Sequence, residues 1–193
     1  MITPLLAAAL SAQTLLRFSV TSSDPLFGPD PAASVAAPGV WAVLSEDCQA
    51  GRKPGALGPD LARWPDCATP IRLEHGTAAL LSPAPEGDAP PLRRLSTAVT
   101  FAPAWPGAPA VLQLEVPGLL DTTYVYAALS TAEPDAQGRF KAARLWPVLC
   151  PGPGVAGVAA ERSGCGATTP TGVHEAARRS AVLVSLELRW TAP

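Results

Sequence analysis

Charge is scarce in this chain: only 16% of its 193 residues are Asp, Glu, Lys or Arg. Fourteen basic and sixteen acidic residues leave a formal charge of −2. That balance offers no excess of cations to neutralise phosphates, and apart from Arg93-Arg94 and Arg178-Arg179 the arginines are dispersed, so nucleic acid is not an expected partner. Long apolar runs are missing as well. Nothing beyond the N-terminal segment approaches the roughly eighteen apolar residues that a membrane helix needs, and no transmembrane span is expected after it.

Histidine is almost absent. His75 and His174 are the only two, so any imidazole acid, base or metal ligand must be one of them. No C-x-x-C pair occurs, and cysteine spacings of 19, 83 and 15 fit no structural zinc pattern, so no metal site is expected. No serine sits in a G-x-S-x-G elbow or an S-x-x-K motif. Carboxylates such as Glu46, Asp47, Asp60, Asp66, Glu115 and Asp121 are scattered over strand ends and loops, where none pairs with another from the sequence alone.

Apolar residues make up 48% of the chain, with 23 prolines and 16 glycines. This mixture favours short extended segments joined by turns over long helices. Val40–Leu44 reads as a buried strand. Ile71–Leu81 reads as two apolar runs about a turn at His75-Gly76, where glycine supplies the positive φ. Leu95–Phe101 and Val111–Val116 form a further pair across the proline-rich segment 102–110. Tyr124–Ser130 and Phe140–Leu149 flank a polar turn, and Pro147 marks an edge, a bulge or the last paired residue. Residues 171–181 read as a short helix with Thr171 as N-cap and both arginines late. In Val182–Trp190 the even-numbered residues Val182 to Trp190 alternate with Leu183, Ser185, Glu187 and Arg189, the period of a half-buried strand. The expectation is a mainly β, antiparallel fold, either a β-sandwich or a curled, partly closed barrel, with one short C-terminal helix before the last strand.

The domain reading is a signal-like leader over 1–23, a proline- and alanine-rich tether over 24–39 and one β-rich domain over 40–193. Pro4–Leu16 resembles a signal h-region followed by small residues, with cleavage expected near Ser22 or Ser23. Cys48, Cys67, Cys150 and Cys165 fall into two local pairs. Two disulfides, 48 to 67 and 150 to 165, are the preferred reading. Each closes a loop of roughly sixteen to twenty residues and stabilises the fold by roughly 3 kcal/mol in the chain-entropy model. The other two pairings, and four reduced thiols in a cytosolic protein, remain open at this level.

Gly152-Pro-Gly-Val-Ala-Gly157 matches G-x-G-x-x-G. However, Pro153 removes a donor that a pyrophosphate would need and no long helix follows, so a flexible disulfide-closed loop is expected and no cofactor. His174 with Cys165 is the least unreasonable nucleophile pair, but a bridged sulfur cannot attack. His75 reads as a turn residue. Trp41, Trp64, Trp146 and Trp190 read as core or core edge. Trp105, held between prolines, is the residue singled out as a possible contact surface, with a hydrophobic lid folded back over the sheet as the alternative.

Asp24-Pro-Leu-Phe27, Pro38-Gly-Val-Trp-Ala42, Asp47-Cys48, Trp64-Pro-Asp-Cys67, Glu74-His-Gly76, Tyr124–Leu129, Ala136-Gln-Gly138 and Leu145–Cys150 together resemble a group of small uncharacterised bacterial envelope lipoproteins. The lipid-bearing cysteine of such proteins has no counterpart at Ser19-Val20-Thr21. The resemblance implies an exported, periplasmic or otherwise envelope-located protein without established activity. The functional expectation is a non-catalytic envelope protein, structural or binding an envelope protein or surface. The alternative is a periplasmic hydrolase or small-ligand-binding protein whose site no linear motif exposes.

Overall fold

The computed structural model describes residues 18–28, 36–49, 57–58, 60–74, 76–83, 92–118, 121–131, 134–161, 164–180 and 185–192. The strands are β1 (Val20–Ser22), β2 (Gly39–Leu44), β3 (Ala68–Glu74), β4 (Thr77–Ser82), β5 (Leu92–Ala102), β6 (Ala110–Pro117), β7 (Thr122–Thr131), β8 (Ala142–Pro147), β9 (Val158–Glu161), β10 (Gly164–Ala167) and β11 (Leu186–Ala192). The helices are a single turn, α1 (Glu46–Gln49), and α2 (Pro170–Arg179).

From β2 to β8 each strand pairs antiparallel with its successor, and β11 then inserts between β8 and β2. Eight strands therefore close on themselves. The fold is a closed antiparallel barrel, which removes the sandwich alternative and replaces partial closure with full closure. Closure leaves no free edge in this ring.

An eight-stranded ring encloses a space that side chains can just fill. Here Trp41, Leu73, Val99, Leu112, Leu129 and Leu188 meet inside it with Phe140. Phe140 stands edge-on to Trp41 at 5.7 Å and to Phe101 at 5.8 Å between ring centroids. The period of two decides which residues point inward: Leu112 and Leu188 face the interior while their neighbours Gln113 and Arg189 do not. Full burial of each large apolar side chain is worth about 1.5–3 kcal/mol relative to leaving it in water.

β2 is apolar on both sides for a physical reason. Trp41 fills the barrel, while Ala42 and Leu44 lie outside under Cys48 and Ala68. Two disulfides are present, Cys48–Cys67 and Cys150–Cys165, with Cα atoms 5.5 and 5.7 Å apart. Gly76 takes φ +75° in the turn from β3 to β4, where Glu74 pairs with Thr77. His75 lies outside the described residues. Pro147 is the last residue of β8 and pairs with Ala127.

A second layer covers the outside of β6 and β7, built from pieces far apart in sequence. α2 places Val173, Ala176 and Ala177 against Val111, Tyr126 and Ala128, together with Val20 of β1 and Val148. The helix starts earlier than Thr171: Thr169 is the N-cap, its Oγ1 accepting the Gly172 N–H at 3.1 Å. Pro170 then occupies the first helical position, where its missing N–H costs nothing. The segment between Cys150 and Cys165 is not a plain glycine loop, because it contains the β9–β10 hairpin. β10 pairs parallel with β1, whose Val20 is fully buried, so residues 20–22, grouped with the leader above, form part of this layer. Among the described residues no helix is long and apolar enough to cross a membrane.

Candidate functional site

The outer layer brings together the residues with chemistry to offer. Gln113 starts the construction. Its period places it on the outside of β6, opposite Tyr126, and it is only 3% exposed. A buried amide must be paired. Gln113 Oε1 accepts the N–H groups of Leu26 and Phe27 at 2.9 and 3.0 Å, and its Nε2 donates to the Phe27 carbonyl at 3.1 Å. One side chain thus holds the 24–28 segment as a strand partner would.

That clamp fixes Phe27, whose ring stands edge-on to Tyr126 at 6.0 Å and to His174 at 5.4 Å. Ser22 Oγ donates to the Asp24 carbonyl at 2.6 Å and contacts the Tyr126 hydroxyl at 2.5 Å. A serine has one hydrogen to give, so Tyr126 donates to Ser22. Burial pushes the Tyr126 phenol up.

His174 lies just beyond the first turn of α2. The helix approaches so closely because Gly157, at φ +77°, carries no Cβ: one there would lie 2.1 Å from Thr169 Oγ1. The last glycine of the G-x-G-x-x-G match thus seats the start of α2 through close packing. His174 is 1% exposed, and among the described residues neither ring nitrogen has a well-formed hydrogen bond. Burial holds its pKa below the ordinary imidazole value, with the nearby Pro109 carbonyl, an acceptor for a ring N–H, acting in the other direction. At neutral pH the ring is therefore uncharged.

Trp105 closes the cluster. Trp105-Pro-Gly-Ala108 has the composition of a type II turn: Gly107 takes φ +77°, and the Ala108 N–H donates to the Trp105 carbonyl at 2.9 Å. The turn sets the indole flat on His174, with 4.5 Å between centroids and 19° between planes. Trp105 nevertheless remains 40% exposed. It is a lid lying on the layer with its outer part in water.

His174 and Cys165 belong to the same layer, but the Cys165 sulfur is bonded to Cys150, so the two form no nucleophile and base pair. Among the described residues no group of three or more His, Cys, Asp or Glu is arranged to hold a metal ion. A separate open cup of about 190 Å³ on the outside of β3–β5 is lined by Arg72, Glu74, Thr77, Ala79 and Arg93. There Glu74 binds both guanidinium groups, at 2.9 and 2.7 Å.

Sequence reading singled out Trp105 and His174 but missed Gln113, Ser22, Phe27 and Tyr126. Only Gln113 carried a signal, as the one amide within an apolar strand. No known family, no curated protein and no solved structure matches this chain.

Proposed function

We propose that this is an exported cell-envelope protein that binds a partner through the Trp105 loop, 103–109, and performs no chemistry of its own. The observation that carries the reading is Trp105: a large aromatic side chain positioned by a tight turn, stacked on the outer layer and left 40% in water. Exposed and pre-positioned tryptophan binds at low entropic cost, because little freedom remains to be lost on contact. Two disulfides support an oxidising compartment, since a reducing cytosol would not maintain them. A barrel packed with Trp41, Phe140 and leucine side chains favours a scaffold over a ligand carrier.

Site-specific photo-crosslinking in intact cells tests the reading. A photoreactive residue replaces exposed Ala104, beside the lid, and a control replaces Arg63, whose side chain is 87% exposed. A discrete adduct from position 104 and none from position 63 is the expected result. Equal labelling from both, or none from 104 in oxidised, folded protein, overturns it.

A further inference from the structure

We propose that His174 is an acid-operated latch for the Trp105 loop: the neutral imidazole holds the indole flat on the outer layer, and the protonated one lets it go. The consequence for binding rests on the reading of this loop as a contact surface, because a released indole no longer presents a fixed face.

The geometry makes the latch one-sided. The ring is enclosed by Trp105 on one face and by the edge-on Phe27, neither of which offers an acceptor. Protonation therefore adds a second N–H for which neither ring offers an acceptor, and a buried cation short of partners is expensive. Among the described residues the one polar group acting on the ring is the Pro109 carbonyl, and it belongs to the same loop. The charge also falls near the start of α2, whose dipole opposes a cation there. The face of Trp105 attracts an imidazolium, but water solvates one better and is reached by moving the smallest obstacle. That obstacle is a loop already partly in water, whereas Phe27 is pinned by Gln113.

Among the described residues no charged side chain relieves the ring. α2 packs on β6, β7, β9 and β10. Titratable groups on the surrounding elements are Asp24 beside the clamped segment, Glu115 on β6, Tyr124 and Tyr126 on β7, Glu161 on β9 and Glu175, Arg178 and Arg179 on α2 itself. None acts on the imidazole. Glu175 is engaged by both helix arginines, at 2.6 and 2.7 Å.

Fluorotryptophan labelling of the full chain reads the lid directly, with Trp105→Phe assigning one of the five tryptophan resonances. Between about pH 7.5 and about pH 4.5 the Trp105 resonance is expected to move toward its solvent-exposed position in step with the His174 ring signal, at a midpoint below about 6.5. The other tryptophans should stay still. In His174→Gln, which cannot be charged, the Trp105 resonance should not respond to pH. A Trp105 resonance that stays still while His174 titrates overturns the latch, as does an equal response in His174→Gln. If that variant does not fold, co-titration in the wild-type protein decides alone. Crosslinking from Ala104 at the two pH values separates the two readings. Acid loss of the adduct with a stationary Trp105 resonance removes the latch and keeps the contact. A moving resonance with no adduct at either pH keeps the latch and removes the contact.

Discussion

The barrel interior and the layer outside β6 and β7 are both hydrophobic clusters, yet they are built on opposite rules. Inside, the buried side chains are apolar, and the indole N–H of Trp41 finds the Ala37 carbonyl at 2.9 Å. Outside, Ser22, Gln113 and His174 are buried among valines and alanines, and three of the five buried polar atoms without a hydrogen bond among the described residues lie here, Trp146 Nε1 and both nitrogens of His174, the other two being in the β7–β8 turn at Asp135 and Arg139. An interior that only needs filling tolerates few alternatives to a well-packed state. A layer held by specific hydrogen bonds, with some left unmade, is where a second arrangement lies close in energy. The difference assigns stability to the barrel and responsiveness to its outer covering.

The sharpest way to break this comparison is to empty the interior. Trp41→Ala removes a fully buried indole from between Phe140 and the surrounding leucines and should cost about 3–5 kcal/mol. Urea unfolding should show a single transition at lower denaturant, with barrel and outer layer lost together. A loss below about 1 kcal/mol would mean that the interior is not the stabilising unit.

Removing the Cys150–Cys165 bridge by replacing both with alanine should cost up to about 3 kcal/mol, but with a different footprint. The bridge ties the end of the β8 region to β10, so amide exchange should rise in β9, β10 and α2 and stay slow across β2–β8. Faster exchange spread evenly over the barrel would erase the distinction between the two regions.

The same division explains what the sequence made visible. Strands β2–β8 pair with their chain neighbours, so period, turn chemistry and the Gly76 position revealed them locally. Closure was hidden, because it depends on β11 crossing back between β8 and β2, and nothing in Leu186–Ala192 names its neighbours. β9 and β10 consist of Val, Ala, Gly, Cys and a Glu, whose small side chains read as loop. Val20 of β1 follows an apolar run and reads as leader. The reading of Thr171 as N-cap misses by two residues, because Thr169 caps the helix and Pro170 follows it as the first helical residue. Trp105 stood out because prolines surround it. His174 stood out only as a base for Cys165, since its aromatic partners come from positions 27 and 105.

Gln113 offers a milder perturbation confined to the outer layer. Gln113→Leu keeps the volume but strips three hydrogen bonds from the 24–28 segment. The freed backbone groups regain water only if the segment lifts, so the cost should be about 2 kcal/mol. Proteolysis should then begin near residues 24–28 while the barrel survives as a resistant core.

Acid gives the smallest effect and distinguishes the two regions without mutation. Burial places the folded-state pKa of His174 below its unfolded value of about 6.5. Stability from the neutral ring is thus complete above that pH and declines as pH falls toward the folded pKa, because the unfolded chain takes up the proton first. The slope cannot exceed about 1.4 kcal/mol per pH unit, the value for one proton. Glu175, held at about 2 by Arg178 and Arg179, contributes in the other window: its pairing is intact above its usual carboxylate range and fades only as pH falls toward that value. Asp135, lowered by the Arg139 and Gln137 N–H groups, follows the same sign. Tyr126, pushed up, matters only in base. Between about pH 6.5 and about pH 5, then, the outer layer should respond through His174 alone among the described groups with shifted pKa values. Urea midpoints at these two pH values should differ in the wild-type protein, differ equally in Trp41→Ala and converge in His174→Gln. A difference that survives in His174→Gln would move the titrating group out of this layer.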